Sequence, residues 1–583
     1  MKQFFKTMFA CVLGVFVAGL LGFFVLMFGL ISAAAFSSGS SYAPTKTSVF
    51  CLSLNTEVQD RVDNSPFMAI RRALYDEVEP LGLDQIIDAI GKAKENKHIK
   101  GIYLNTDNYY GSYAISTEIR RALSEFKAAG KWIVAYNSNY SQNQYYLATV
   151  ADSIFINPMG SLDLSGLATT GMFFKKALDK FGIDMQVFRV GTFKSAVEPY
   201  MVDKMSPANR KQTEEFLGSM WESIADSIAS ARGISASDVN LLADQGLGFM
   251  MADSSLVEYG LVSGLRYQND MDQIVKTLCG TDEPDMPTLA DVASMTKKEK
   301  SYDNKVAVLY AVGEIADTED ADIYWPDVVA DINDLIDDEA IKSVVLRVNS
   351  PGGSAFGAEQ IWEAVGRLKA VKPVVVSMGT YAASGGYYIS CGASRIIAEP
   401  TTLTGSIGVF GVIPCFNKLM TQTLGVSFDG VKTNRFGNIS IFEPLTEAEG
   451  HMIQNSVEQT YALFLNRCAT GRGMSVDSIA AIAEGRVWTG ADALELGLVD
   501  ELGGLQAAIE AAAKLAFVEN YNVEYYPSEK SLIEQIMDQM QSSGAVSARL
   551  ARDLGIDINS AKMLRRIAEL EPIQARMPQM SVR

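Results

Sequence analysis

Apolar and polar positions alternate along this chain with two different periods, and the switch between them recurs. Ser343–Val348 is a run of apolar and β-branched residues closed by Ser350-Pro351-Gly352-Gly353, which reads as a buried strand ending in a turn. From Ala358 to Ala370 the apolar residues Ile361, Ala364, Val365 and Leu368 fall on one helical face. Pro373–Met378 reads as a second strand, Tyr387–Cys391 continues a helix beginning near Ser384, and Ile396–Ala398 is a third short strand before Pro400. Strand, helix, strand, helix, strand predicts α/β architecture with parallel pairing, because parallel neighbours require a crossover.

The same pattern occurs twice. Residues 99–166 align without a gap on 341–408: Ile99-Lys100 falls on Ile341-Lys342, Gly111-Ser112 on Gly353-Ser354, Tyr145-Tyr146 on Tyr387-Tyr388, Pro158 on Pro400 and Gly166 on Gly408. About a quarter of the aligned positions are identical. The copies diverge where chemistry would sit: Ser384 of the second copy faces Gln142 of the first. One residue of slip then aligns Gly182 with Gly425, which sets Lys194 opposite Gly437. Two α/β domains related by duplication are expected, with a serine kept in one and a lysine in the other.

A chain of 583 residues exceeds a single core. The expected divisions are an anchor and linker over 1–47, a first repeat over 48–304, a second over 305–520 and a helical extension over 521–583. The linker reading rests on the Ser-, Thr-, Ala- and Gly-rich Ser37–Thr47. The boundary between the repeats rests on Thr281–Asn304, with its prolines and the charge run Lys297-Lys298-Glu299-Lys300. Helices are expected around Ser531–Gln541 and Ser560–Leu570. Met8–Phe36 holds no charged residue and exceeds the roughly 20 residues that span a bilayer. Lys2 and Lys6 precede it, so an uncleaved transmembrane helix with everything after residue 40 exported is expected. A cleaved signal ending near Ala33-Ala34-Ala35 is the alternative.

Composition narrows the chemistry. Apolar content of 48% with 20% charged residues is that of a globular chain, and a net charge of −19 opposes nucleic-acid binding. The six cysteines form no CxxC pair, which argues against a zinc site or a disulfide framework. The chain has only two histidines, His98 and His451, in a protein whose other motifs suggest acyl transfer. Ser384 lies in Ala-Ala-Ser-Gly-Gly at a loop-to-helix junction, and Ser350-Pro351-Gly352-Gly353 frees backbone N–H groups in a way that suits an oxyanion hole. A plain tight turn accounts equally for either motif taken alone. Lys194 sits among small and apolar residues in Arg189-Val190-Gly191-Thr192-Phe193-Lys194-Ser195-Ala196. Burial there would lower its pKa and leave a neutral amine able to take a proton from serine, whereas a solvated surface lysine is the bland reading.

Five motifs in register make a resemblance plain. Arg189–Pro199, Asn349–Ser354, Ala383–Tyr388, Thr404–Val409 and Gly485–Gly490 resemble, in order and over nearly the whole chain, the signal peptide peptidase A family in its long tandem-repeat form (peptidase family S49). The resemblance implies two Clp/crotonase-like domains and a membrane-anchored serine endopeptidase that degrades cleaved signal peptides and other short hydrophobic peptides. It implies a ring-shaped homotetramer at the bacterial inner membrane, with periplasmic catalytic domains and no cofactor. It also implies Ser384 as nucleophile, Lys194 as general base, Ser406 beside the lysine, and Gly353 and Gly385 at the oxyanion. Competing classes are a crotonase-like acyl-CoA enzyme, an inactive membrane scaffold and a protease using His451. The dyad is compatible with contact within one chain or between neighbours.

Overall fold

Each sequence copy builds a parallel sheet, and the two sheets are joined by a third that draws strands from both. The computed structural model describes residues 41–62, 78–246, 253–296, 302–319, 321–528 and 573–577, with Gly14, Met68 and Arg72 as isolated positions. In the first sheet the order is Ser48–Ser53, Ile99–Asn105, Trp132–Asn137, Ser153–Ile156 and Gly264–Leu265, every pair parallel. Helices Leu83–Glu95 and Tyr113–Ala128 turn their apolar faces to the main core of this half, which also holds Ile102, Leu104, Ile133 and Ala135. Helix Gln268–Cys279 contributes Met271 and Val275 to a second cluster with Val49, Val134 and Tyr136.

The second sheet is larger. Its main path runs Val487–Thr489, Leu403–Gly405, Val374–Ala383, Ile341–Ser350, Lys305–Val312 and Asn522–Tyr526, with Arg395–Ala398 branching from Val374–Ala383. Val344, Leu346 and Val348 point to one side, under helices Trp325–Asp337 and Ala355–Val371. Val345 points to the other, under Leu505–Leu515. Cover on both faces is why the strand reads as a continuous apolar run and not as an alternation. Its one charged interior residue, Arg347, marks where the first half docks. The buried guanidinium lies 2.6 Å from both Asp60 and Glu118, and Arg121 pairs with buried Glu399 at 2.5 Å. Removing one partner of such a buried cluster leaves an uncompensated charge, at a cost of about 3–5 kcal/mol.

The third sheet has six short strands in the order Ile323–Tyr324, Ile315–Ala316, Gly352–Ser354, Gln574–Arg576, Val409–Cys415 and Asp184–Val190. Asp184–Val190 of the first half pairs antiparallel with Val409–Cys415 of the second over seven consecutive residues. The corresponding stretches of the duplication, around 167–173 and 427–433, lie outside strands. The cross-pairing is thus one-sided.

The membrane assignment is corrected. Among the described residues no helix is long and apolar enough to cross a membrane. The two longest, Pro207–Arg232 and Glu447–Arg472, have 26 residues each but are amphipathic or polar along their length. The stretch Met8–Phe36 lies outside the described residues apart from Gly14. The fold is therefore α/β without the expected transmembrane helix. The expectations that hung on that helix fall with it: membrane anchoring, lipid contact and an inner-membrane location with periplasmic catalytic domains. Lys297–Lys300 and the helices expected around Ser531–Gln541 and Ser560–Leu570 also lie outside the described residues. Within 521–583 the described elements are two strands, Asn522–Tyr526 and Gln574–Arg576.

Candidate active site

The one-sided cross-pairing delivers a lysine to a serine. Four residues beyond Val190 the chain has turned inward, and Lys194 Nζ lies 2.7 Å from Ser384 Oγ of the same chain. It also lies 3.0 Å from the Ser406 carbonyl oxygen and 3.1 Å from Ser406 Oγ. All three residues are fully buried. Burial pushes the amine well below its ordinary value of 10.5. A neutral amine has two N–H groups and one lone pair. The Ser406 carbonyl can only accept, so it takes one N–H. The other N–H and the lone pair remain for the two hydroxyls, and the lone pair can meet the Ser384 proton.

Local sequence explains how each group is held. Strand Val374–Ala383 ends at Ser384, whose φ of 55° and ψ of −114° are strained for a residue with a Cβ. Such a conformation costs about 1–3 kcal/mol and persists only where its surroundings fix it. Here the Ser384 N–H donates to the Gly405 carbonyl at 2.8 Å, and the Ser384 carbonyl accepts from Tyr388 N at 2.8 Å. Gly385 and Gly386 follow because the chain packs directly on Ser350 and Gly352. Gly353, at φ 152°, has no room for a side chain, since a Cβ would overlap the carbonyl of Ile315. The Gly353 nitrogen lies 3.2 Å from where a Gly385 Cβ would stand, so the two glycines share one small volume beside Ser384. All five residues expected at the site therefore come together.

The lysine loop is clamped by residues that sequence reasoning did not single out. Gln212, buried on helix Pro207–Arg232, donates to the Phe193 carbonyl at 3.0 Å and to Ser195 Oγ at 3.0 Å, while its Oε1 accepts from Val487 N at 3.2 Å. Phe193 N donates to the Glu484 carbonyl at 2.9 Å. Gly485, at φ 78°, lies so close that a Cβ would be 2.6 Å from Lys194 Cβ. This is the physical content of Gly485-Arg486-Val487-Trp488: one strand edge fixes both the lysine loop and Ser406, whose N–H donates to the Arg486 carbonyl at 2.6 Å. Neither histidine takes part. His451 is 74% exposed beside Glu447, and His98 is half-buried at the start of Ile99–Asn105.

The family model for peptidase family S49 matches this chain twice, over residues 125–278 and 366–519. The chain belongs to peptidase family S49. It is 36% identical over 543 residues to Protease 4 of Salmonella typhi, covering 90% of this chain and 87% of that one. It is 35% identical over 563 residues to Protease 4 of Haemophilus influenzae, covering 92% and 91%. The chloroplastic serine protease SPPA of Arabidopsis thaliana is 29% identical over 531 residues, covering 88% and 77%. As a member of this family the chain is a serine protease and binds peptide substrates. The serine, the lysine and the clamp around them lie between the two stretches that match the family, not within one of them: Lys194 belongs to the first and Ser384 to the second.

Proposed function

We propose that Ser384 is the nucleophile and Lys194 the general base of a Ser–Lys dyad acting through an acyl-enzyme, on cleaved signal peptides and other short hydrophobic peptides. The observation that carries this reading is a fully buried amine with a lowered pKa, 2.7 Å from a strained serine hydroxyl. The lone pair of Lys194 takes the Ser384 proton as Oγ attacks the scissile carbonyl. Ser406 orients the amine through its carbonyl and hydroxyl. The oxyanion meets the backbone N–H groups of Gly353 and Gly385, each donor of this kind being worth about 10²–10³ in rate. The lysine ammonium then protonates the leaving amine, and water hydrolyses the ester.

Apolar substrates suit the surroundings. A cavity of about 250 Å³ beside the lysine loop is lined by Met172, Phe174, Tyr200, Met205, Phe410 and Val412. Enclosure of Ser384 favours extended, unfolded peptides over folded proteins. The same reading divides the chain into repeats at 48–304 and 305–520 and takes the working assembly to be a homotetramer. Exposed Leu424, Phe428, Val431 and Phe436 offer apolar surface for contact between copies.

Labelling with a serine acylator followed by peptide mapping tests the assignment. The label should map to Ser384, and Ser384→Ala should lose both labelling and peptide cleavage while keeping its melting temperature. Undiminished cleavage by that variant would sink the reading.

A further inference from the structure

One strand of the third sheet comes from the far C-terminal end of the chain. Gln574–Arg576 pairs antiparallel with Gly352–Ser354 on one side and with Phe410 on the other. It alone joins those two flanking strands. Without it the sheet would hold a slot one strand wide, open along its length and bordered by Gly353 and Gly385. A peptide added between two strand edges gains main-chain hydrogen bonds from both, with alternate side chains left to enter pockets.

The register of the segment is specific. Met577 N donates to the Pro351 carbonyl at 2.7 Å. Bonded pairs recur at every second residue of an antiparallel ladder, so Gly353 and Ala575 form the next one, and the Gly353 N–H faces the Ala575 carbonyl. That carbonyl oxygen also lies 3.0 Å from where a Gly385 Cβ would stand, and it fills the place of a Gly352 Cβ. It therefore sits between the two backbone groups assigned to the oxyanion. The side chains alternate accordingly. Ala575 is fully buried, and Met577 joins the apolar cluster that contains Ala383 and Leu403. Gln574 and Arg576 line the cavity, and the Arg576 guanidinium pairs with Glu314 at 2.8 Å.

We propose that the Ala575–Arg576 peptide bond is a substrate of the chain's own active site and is cleaved in cis. The inference rests on the Ser384–Lys194 reading. Ser384 Oγ bonds to the Ala575 carbonyl carbon as its proton passes to neutral Lys194. The C–N bond to Arg576 breaks, and the Arg576 nitrogen takes the proton from Lys194. Water then attacks the Ala575 ester, Lys194 relays its proton back to Ser384 Oγ, and residues 576–583 leave as a free peptide. Ala575 becomes the C-terminus. While it is seated, the segment excludes any other peptide from the slot, so processing and turnover are competing uses of one site. Glu314 recognises the basic residue that follows the cut.

Intact-mass measurement of the full-length protein over time, with turnover of an unstructured apolar peptide measured in parallel, tests this. The wild-type chain should lose residues 576–583 at a rate unchanged by tenfold dilution. Ser384→Ala and Lys194→Met, each checked for native circular dichroism, should keep them. Glu314→Gln should slow tail loss while leaving cleavage of a peptide with no basic residue unchanged. A wild-type chain that turns over the added peptide but keeps residues 576–583 would overturn the proposal and leave the dyad standing. So would cutting at another bond, or a rate that scales with concentration. Failure to cleave either the tail or the peptide would instead overturn the dyad itself.

Discussion

Gly485→Ala separates the placement of the lysine from its mere presence. The substitution adds one methyl group at φ 78°, 2.6 Å from Lys194 Cβ and 2.7 Å from its Cα and nitrogen. Ordinary van der Waals contact begins near 3.4 Å, so the lysine backbone must retreat by about 0.8 Å or residue 485 must move by as much. Neither can move freely, because Gly485 N donates to the Ile407 carbonyl at 2.8 Å and Phe193 N to Glu484 at 2.9 Å. Misplacement of a catalytic group by 1 Å costs on the order of 10²-fold. The expected result is a fall of about 10²-fold in kcat with KM within a factor of about three. The left-handed backbone adds roughly 1–2 kcal/mol of destabilisation. Gly473→Ala provides the control. It carries the same kind of strain at φ 65°, with nothing within 4 Å of the added methyl, at the end of helix Glu447–Arg472. It should lower the melting temperature by a similar amount and leave kcat alone. Steady-state kinetics on an apolar peptide, with thermal melts of both variants, decide the matter. If Gly485→Ala kept wild-type kcat, the contact with Gly485 would not set the position of the base.

Three further outcomes follow from the same geometry. Burial lowers the Lys194 pKa below 10.5, so between the two values the folded chain binds fewer protons than the unfolded one, and this group's contribution to stability rises with pH. Lys194→Met should therefore melt higher than wild type at pH 7, with the gain shrinking toward pH 10.5, and no change in the difference with pH would refute the buried amine. Wild-type activity should rise with pH through the lowered value of that amine, and the double variant His98→Gln, His451→Gln should keep the same profile; a profile shifted by the histidine changes would refute a lysine base. Residues 305–583 expressed alone should be inactive, because the base comes from Lys194, and co-expression with residues 46–304 should restore part of the activity; cleavage by the second half at the full-length rate would exclude Lys194.

The parts of this molecule encoded by local periodicity were legible in its sequence. The strand expected at Ser343–Val348 occupies Ile341–Ser350, and the helix expected at Ala358–Ala370 occupies Ala355–Val371, because a run buried on both faces and an apolar stripe each declare themselves within a dozen residues. Ser384 and Lys194 stood out as a mismatch between two aligned copies. The clamp did not. Gln212 joins Phe193 to Val487 across 275 positions of sequence, and no periodicity marks a glutamine for that task. Arg347 looked like a polar interruption in a strand, since its partners Asp60 and Glu118 lie more than 200 residues away. Gln574–Arg576 is too short to announce itself as a strand and is one only because two edges elsewhere in the chain await it.

The one-sided pairing of Asp184–Val190 with Val409–Cys415 has an evolutionary consequence. Two identical copies would carry two serines and two lysines, yet only one serine and one lysine are brought together by this strand pair. The unused positions are then released from selection for chemistry. At 142 a glutamine has settled, donating to Tyr113 and Gly166 and accepting from the N–H groups of Ser165 and Gly166, so the relict cleft now serves as a structural plug. Position 437 is an exposed glycine. Reviving the lost centre would take a serine at 142, a lysine at 437 and a strand pair to unite them, none useful without the others. Duplication in this chain works as a ratchet: each copy has discarded what the other retains, and neither can again live alone.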